Sequence, residues 1–536
     1  MKPFAELYAR LDATTKTNEK LAAMVDYFRD APPEDAAWAI YFLSGRRPKR
    51  LIQARLLRQW AAELAGIPEW LLVESHSAVG DSAETAALLL PSAVDRVERP
   101  LHVWMDEHVL PLGRLDEDAK RERVVEWWRG VDGTERFVLN KLLTGAFRVG
   151  VSQRLLTRAL GRFSGLEESA VAHRLMGLWE PTPEFYGALL SEDTDDADSS
   201  RPYPFYLAYA LEDEPARFED TLGNPDAWQV EWKWDGIRAQ LIRRAGETFL
   251  WSRGEELVTD RYPEVAAAAE HLPDGTVLDG ELLPWADGGV LPFGELQRRI
   301  GRKKVGKKLL AEVPVILLAY DLLEHGGEDI RPQPQIRRRE ALESVVELAE
   351  HPNLLLSEVV RADGWTELVE LRAESRARRV EGLMLKRRDA PYGVGRRRGD
   401  WWKWKIDPYT VDAVLVYAQR GSGRRASLYS DYTFAVWNAE GELVPFAKAY
   451  SGLTDAEMRR VDHFVRRNIQ ERFGPVRSVS PELVFELAFE NIQRSSRHKS
   501  GIAVRFPRIL RWREDKKPAD ADTLATLEVL LPSIEA

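Results

Sequence analysis

Val230-Glu231-Trp232-Lys233-Trp234-Asp235-Gly236-Ile237-Arg238 decides how the rest of the chain is read. Side chains alternate across an extended strand, so Glu231, Lys233 and Asp235 share one face while Trp232 and Trp234 take the other. A lysine held among carboxylates, beside a glycine turn and an arginine, becomes a nucleophile once its ammonium gives up a proton. An ordinary lysine amine, with a pKa of about 10.4, is nearly all charged at neutral pH. Desolvation against indole rings, or nearby cations, favours the neutral amine. Taken alone, the segment reads equally well as an amphipathic strand with a surface Lys–Asp pair.

The segments that follow weigh against that plain reading. Ser252-Arg253-Gly254-Glu255 comes first, then Val277-Leu278-Asp279-Gly280-Glu281-Leu282 and Leu318-Ala319-Tyr320-Asp321-Leu322-Leu323. After them stand Val380-Glu381-Gly382-Leu383-Met384-Leu385-Lys386 and Trp402-Lys403-Trp404-Lys405. A terminal basic stretch runs from Arg505-Phe506-Pro507-Arg508 through Arg511 and Arg513 to Asp515-Lys516. In this order and spacing, over nearly the whole chain, they resemble the nucleotidyltransferase motifs of ATP-dependent DNA ligases that carry an N-terminal DNA-binding domain.

That resemblance implies a role for each residue. Lys233 is the nucleophile on the α-phosphate of ATP, giving a lysyl–AMP and pyrophosphate. Glu231 meets the adenine edge, Arg238 and Arg253 the ribose and phosphate region, and Tyr320 stacks on adenine. Asp279 and Glu281 lie two apart on a strand and project to one side; Glu281 meets the ribose hydroxyls or a metal. Lys403 and Lys405 share a strand face opposite Trp402 and Trp404. Two such charges repel unless an anion lies between them, which suits them to neutralise the α-phosphate. Glu381 is the second carboxylate for Mg²⁺. The run Arg396-Arg397-Arg398 gives one arginine to the nucleotide or the nick, with Arg397 and Arg398 as candidates. Arg505, Arg508, Arg511 and Lys516 belong to a motif that swings onto the nucleotide and orients pyrophosphate.

Composition bounds the remaining classes. A chain of 536 residues predicts three or so domains. It holds no run of 18 apolar residues, so no membrane span is expected. Met1 to Leu7 lacks the apolar centre of a signal peptide, and a cytoplasmic monomer associated with DNA is expected. Zero cysteines exclude disulfides, thiolate zinc sites and a cysteine nucleophile. The four-cysteine zinc finger typical of NAD-dependent ligases cannot be built either, which favours ATP. A net charge of −10 sits poorly with a nicked duplex as partner, because Lys and Arg dominate phosphate contact. Distribution answers this. Acids crowd residues 191–198, while Arg298 to Lys308, Lys386 to Lys405 and Arg494 to Lys517 are locally basic and form the expected nucleic-acid footprint.

Texture divides the multidomain chain into three. Residues 1–200 show helical periodicity and predict an all-α DNA-binding domain. Residues 201–408 alternate β-rich segments with helices such as 337–349, an α/β (α+β) adenylation domain. Residues 409–536 carry short strands and glycine turns, a small OB-fold β-barrel. The acidic stretch 191–200 is the linker between the first two, and Asp407-Pro408 is the hinge before the last. In the helical domain Ser152 reads as an N-cap with Gly161 near the helix end. The resemblance places this turn, with Arg148, Gly150, Ser152 and Arg154, on duplex phosphates. Gly301 to Lys308 nearly spells a P-loop but lacks the final Ser or Thr and a preceding strand, so a basic surface helix or loop is expected. The nine histidines show no metal-binding spacing. An mRNA-capping guanylyltransferase, an RNA ligase and a non-catalytic DNA-binding scaffold are the alternatives, separated by the nucleotide adduct and by the substrate sealed.

Overall fold

The computed structural model describes residues 1–93, 96–131, 133–145, 147, 149–191, 199–302, 305–421, 427–496 and 498–531. The expected linker 191–200 falls largely outside them, as does Arg148. Among the described residues every element before Tyr206 is helical, from Lys2–Ala13 to Pro183–Leu189. The N-terminal helix buries Leu7 and Leu11, and its Tyr8 meets Phe137 edge-on at 5.4 Å between ring centroids. The helix Gln153–Ser164 is capped by Ser152, whose hydroxyl accepts from the Leu155 amide at 3.2 Å. It ends at Gly165, at φ 79°, with Gly161 in its last turn. Gly161 lies inside the helix, where a Cβ would come within 2.9 Å of the Leu166 carbonyl oxygen; close packing, not chain reversal, requires it.

The described residues group into two compact units, one of Met1–Ala13, Arg46–Val149 and Asp407–Ala536, the other of Thr14–Gly45 and Gly150–Ile406. In the second unit two sheets carry the motifs. One is seven-stranded, with the main order Leu354–Leu356, Val315–His325, Thr276–Ala286, Ile237–Arg244, Glu247–Ser252. Its core joins Leu241, Leu278 and Leu317 to Leu342 and Val345 of the helix Gln335–Ala349. The other sheet is four-stranded: Tyr209–Ala210, Trp401–Lys405, Val380–Arg387, Trp228–Trp234. Trp228, Trp232, Trp402 and Trp404 are buried together on one of its faces, each large side chain contributing about 1.5–3 kcal/mol. The turn Asp235-Gly236 hands the chain from one sheet to the other. A Cβ at Gly236 would overlap the Leu282 carbonyl and the Glu281 side chain, so only glycine lets the strands close there.

In the first unit seven strands between Tyr409–Arg420 and Arg508–Trp512 form an antiparallel sheet. Its long strand Tyr409–Arg420 pairs Val484–Phe489 along one half and Val476–Val479 along the other. Val411, Ala413 and Leu415 alternate inward to the core. The helix Asp455–Arg467, fixed by a Thr454–Glu457 capping box, adds Val461 and Val465 to that core.

Candidate active site

Lys233 ends up facing a carboxylate that its own segment does not supply. Its Nζ lies 2.5 Å from Oε2 of Glu381, and the other oxygen of that carboxylate lies 3.2 Å from Nζ of Lys405. Glu381 thus bridges Lys233 and Lys405, a different pair from the Lys403 and Lys405 between which the sequence leads one to expect an anion. Register explains the meeting: Gly382 pairs Lys405 and Met384 pairs Lys403 on one side, while Met384 pairs Glu231 on the other. A register shift between Val380 and Leu383 lets Glu381 turn to the lysine face. Gly382, at φ 138° and with no room for a Cβ beside the Trp404 carbonyl, makes the irregularity. Burial alone would raise the Glu381 carboxyl, but Lys233 and Lys405 outweigh it and hold it below the ordinary range. Lys403 is lowered by burial and then by Arg396, Lys405 and Lys233. An anion arriving there would relieve that crowding of positive charge.

Glu281 behaves in the opposite way. Burial, reinforced by Glu381 and Asp279 against the pull of Lys233 and Arg238, pushes its carboxyl up to about 8. A carboxyl whose positive neighbours do not offset its burial suits an added cation. No group of three or more His, Asp or Glu able to hold a metal occurs among the described residues. The pair Glu281 and Glu381 fits Mg²⁺ instead, which takes one or two carboxylates and completes its shell with water and phosphate.

Beside this pair, Arg238 is almost fully committed. Nε and Nη2 form a fork on Asp279 at 3.1 and 2.7 Å. Nη1 donates to the Tyr206 carbonyl at 2.6 Å and Nη2 to the Tyr392 hydroxyl at 3.2 Å. Four of its five N–H groups are spent, so one remains for a ligand. Arg253 is exposed and is drawn to this wall by its amide, 2.9 Å from the Arg238 carbonyl. Tyr320 sits in the middle of the strand Val315–His325, with the Lys386 ammonium 4.3 Å from its ring centre.

Glu231 and Asp235 do not flank Lys233 as free carboxylates. The Glu231 side chain is buried, paired with Lys386 at 3.0 Å and near Arg339 at 3.6 Å. Lys386 also donates to the Tyr320 carbonyl at 3.2 Å. Its burial removes it from the basic footprint inferred for Lys386 to Lys405. Of the arginine run, Arg398 lies 5.7 Å from the Trp402 ring, on the strand face away from Lys403, and Arg396, Arg397 and Arg398 are all exposed.

The other basic stretches also change meaning. Arg299 is fully buried and held by Glu264 and the Arg261 and Val313 carbonyls; it is a strut of the fold and cannot reach DNA. Lys303 and Lys304 lie outside the described residues, while Lys308 is exposed. In the first unit Arg508 pairs Glu490 at 2.8 Å and Arg511 pairs Glu486 at 2.5 Å. Asp412 accepts from Arg513 at 2.9 Å and Lys516 at 2.6 Å, and Arg505 is partly exposed. Near the capped helix, the Gly150 carbonyl takes the Lys20 ammonium at 2.9 Å and Arg154 donates to the Arg396 carbonyl at 2.8 Å. Sequence reading missed Tyr392, Arg339, Asp412 and the structural role of Lys386. A hydroxyl or charge with a buried partner far along the chain leaves no local signature. Among the described residues no helix is long and apolar enough to cross a membrane.

Three family models match in chain order: "DNA ligase N terminus" over residues 1–161, "ATP dependent DNA ligase domain" over 212–405 and "ATP dependent DNA ligase C terminal region" over 425–516. A "Probable DNA ligase" of Koribacter versatilis is 31% identical over 99% of this chain and 97% of its own length. "DNA ligase 1" of Korarchaeum cryptofilum is 30% identical over 98% of this chain and 97% of its own. The solved structure named Pmar-Lig_PreS3 superposes with a TM-score of 0.62 at 16% identity, covering 95% of this chain and 99% of that one; it supports the fold alone.

Proposed function

The chain belongs to the ATP-dependent DNA ligase family, and on that premise we propose that Lys233 is the residue adenylated. The activity is the sealing of nicks in duplex DNA with ATP and Mg²⁺. In the first step the lone pair of Lys233 Nζ attacks the α-phosphorus of ATP. A P–N bond forms, the α–β P–O bond breaks, pyrophosphate leaves, and the attacking amine gives up one proton, keeping the single N–H of the phosphoramidate. The 5′-phosphate at the nick then displaces the lysine, and the 3′-hydroxyl displaces AMP as the phosphodiester forms.

The observation that carries this reading is the row of Lys233, Glu381 and Lys405, at 2.5 and 3.2 Å, with Lys403 beside it. It sets a nucleophile next to cations able to stabilise charge on phosphate oxygens. Glu281 and Glu381 would hold Mg²⁺, which when bound offsets negative charge on those oxygens. Arg238 and Arg253 serve the ribose and phosphate side, Tyr320 the face of adenine and Glu231 its edge. Arg397 is the better placed of the two candidate arginines, since Arg398 rests on Trp402. Arg505, Arg508, Arg511 and Lys516 serve the pyrophosphate side, with Arg508, Arg511 and Lys516 exchanging their carboxylate partners for phosphate.

For the architecture we propose a helical DNA-binding domain at 1–200, an adenylation domain at 201–408 and an OB-fold at 409–536. The change of partners along Tyr409–Arg420 supports a strongly curved sheet. Gly150, Ser152 and Arg154 are proposed to meet duplex phosphate through the helix amides, and the enzyme to act as a cytoplasmic monomer. Lys233→Ala should remove the AMP mass adduct formed with Mg²⁺ and ATP while leaving the thermal midpoint near that of the parent. An adduct persisting in that variant rejects the assignment. Sealing a nicked duplex with ATP, but not with NAD⁺ or GTP, tests the nucleotide.

A further inference from the structure

We infer that Tyr392 is a positioning residue that sets the angle at which Arg238 meets the nucleotide. The inference rests on the reading that Arg238 contacts the ribose and phosphate side. Tyr392 is buried in the loop after the strand Val380–Arg387. Its hydroxyl donates to Oδ2 of Asp279 at 2.7 Å and accepts from Nη2 of Arg238 and from the Tyr206 amide, both at 3.2 Å. One donation and two acceptances exhaust a phenol, so its proton has a single direction. Asp279 is itself fully buried, and its Oδ2 accepts from both the Tyr392 hydroxyl and the Nη2 arm of the Arg238 fork.

The remaining contacts hold the ring rather than merely fill space. Arg338, fully buried in a pair with Asp321 at 2.8 Å, lies 5.9 Å over the Tyr392 ring and donates to the Ala390 carbonyl at 3.2 Å. Trp401 meets the ring edge-on at 5.6 Å between centroids. Burial first, then Asp279, pushes the Tyr392 phenol well above its ordinary range, so it stays protonated as a donor. Arg238 has one N–H left for a ligand, and its direction is fixed by the plane that Asp279, Tyr206 and Tyr392 impose. A guanidinium held on three sides loses little freedom when that last bond forms.

Tyr392→Phe removes the hydroxyl and keeps the ring. In single-turnover self-adenylation with Mg²⁺ and ATP, the full-length variant should show KM for ATP raised about ten-fold, as expected for one charge-assisted hydrogen bond. The maximal rate should change less. Arg238→Lys, which keeps the charge but loses the fork, should be impaired at least as much. Adding Tyr392→Phe to it should cost little more, because both act through one contact. Unchanged KM in Tyr392→Phe with Arg238→Lys impaired overturns the inference alone. So do independent, multiplying effects, or a Tyr392→Phe protein that fails to fold, which would make the hydroxyl a prop of the core. Wild-type behaviour of Arg238→Lys overturns the reading of Arg238 and the inference with it.

Discussion

Glu381 and Glu281 are pushed in opposite directions within the same small site, one carboxyl lowered and the other raised, and that contrast yields two expectations. Glu381 separates the Lys233 and Lys405 ammoniums, so Glu381→Gln leaves like charges facing one another without their anion. Self-adenylation should fall by about 10²-fold or more, the scale of losing an electrostatic partner in an enclosed site, in a single-turnover assay with labelled ATP. The Glu281 carboxyl is raised from 4.5 to about 8, so the folded state holds a proton there that the unfolded chain has lost. Its stabilising contribution is complete below about 4.5 and disappears as pH rises through about 8. With divalent cations chelated, the thermal midpoint should decline over that window, and Glu281→Gln should flatten the decline. Mg²⁺ competes with the same proton, so less of it should be needed at higher pH. A midpoint with the same slope in both proteins contradicts this account.

At the level of elements, periodicity explains what was legible and what was not. The faces of Trp228–Trp234 and Trp401–Lys405 follow from two-residue alternation, which is local, as do the inward Val411, Ala413 and Leu415, and the helices follow from the equally local 3.6-residue period. The carboxylate opposite Lys233 depends on strand pairing and on the irregularity at Gly382, which no window of sequence contains. Likewise a string of basic residues does not tell which one turns inward, and Arg299 was read as surface. Two substitutions test these points. Gly382→Ala demands φ 138° of a residue with a Cβ and forces it onto the Trp404 carbonyl. It should cost about 1–3 kcal/mol in urea unfolding and misplace Glu381, lowering adenylation as well. Arg299→Met strands Glu264 and should cost about 3–5 kcal/mol, the range for breaking a buried pair. DNA affinity and its salt dependence, measured by nick binding, should stay unchanged; a shallower salt slope would return Arg299 to the DNA surface.

At the scale of the molecule, a chain of net charge −10 that acts on DNA must place cations locally rather than on average. Much of its basic content is already answered by acids, as at Arg508, Arg511 and Arg513. Binding to a nicked duplex should therefore weaken as salt rises, with a log–log slope that counts the phosphates actually neutralised. Adenylation by ATP should change far less over the same range, and a salt-independent nick affinity would exclude phosphate contact as the source of binding. The chain also carries 18 tryptophans, and one of them stands out by its surroundings. Trp401 is different: its indole N–H meets no acceptor among the described residues, and its ring lies 4.9 Å from the Lys386 ammonium and 5.6 Å from the Arg238 guanidinium. An excited indole redistributes electrons across its rings, so the colour it emits follows nearby fields. Subtracting the fluorescence of Trp401→Phe from that of the parent isolates this one lamp, and its shift when a polyanion arrives gives the enzyme an optical gauge of nucleotide occupancy with no dye attached.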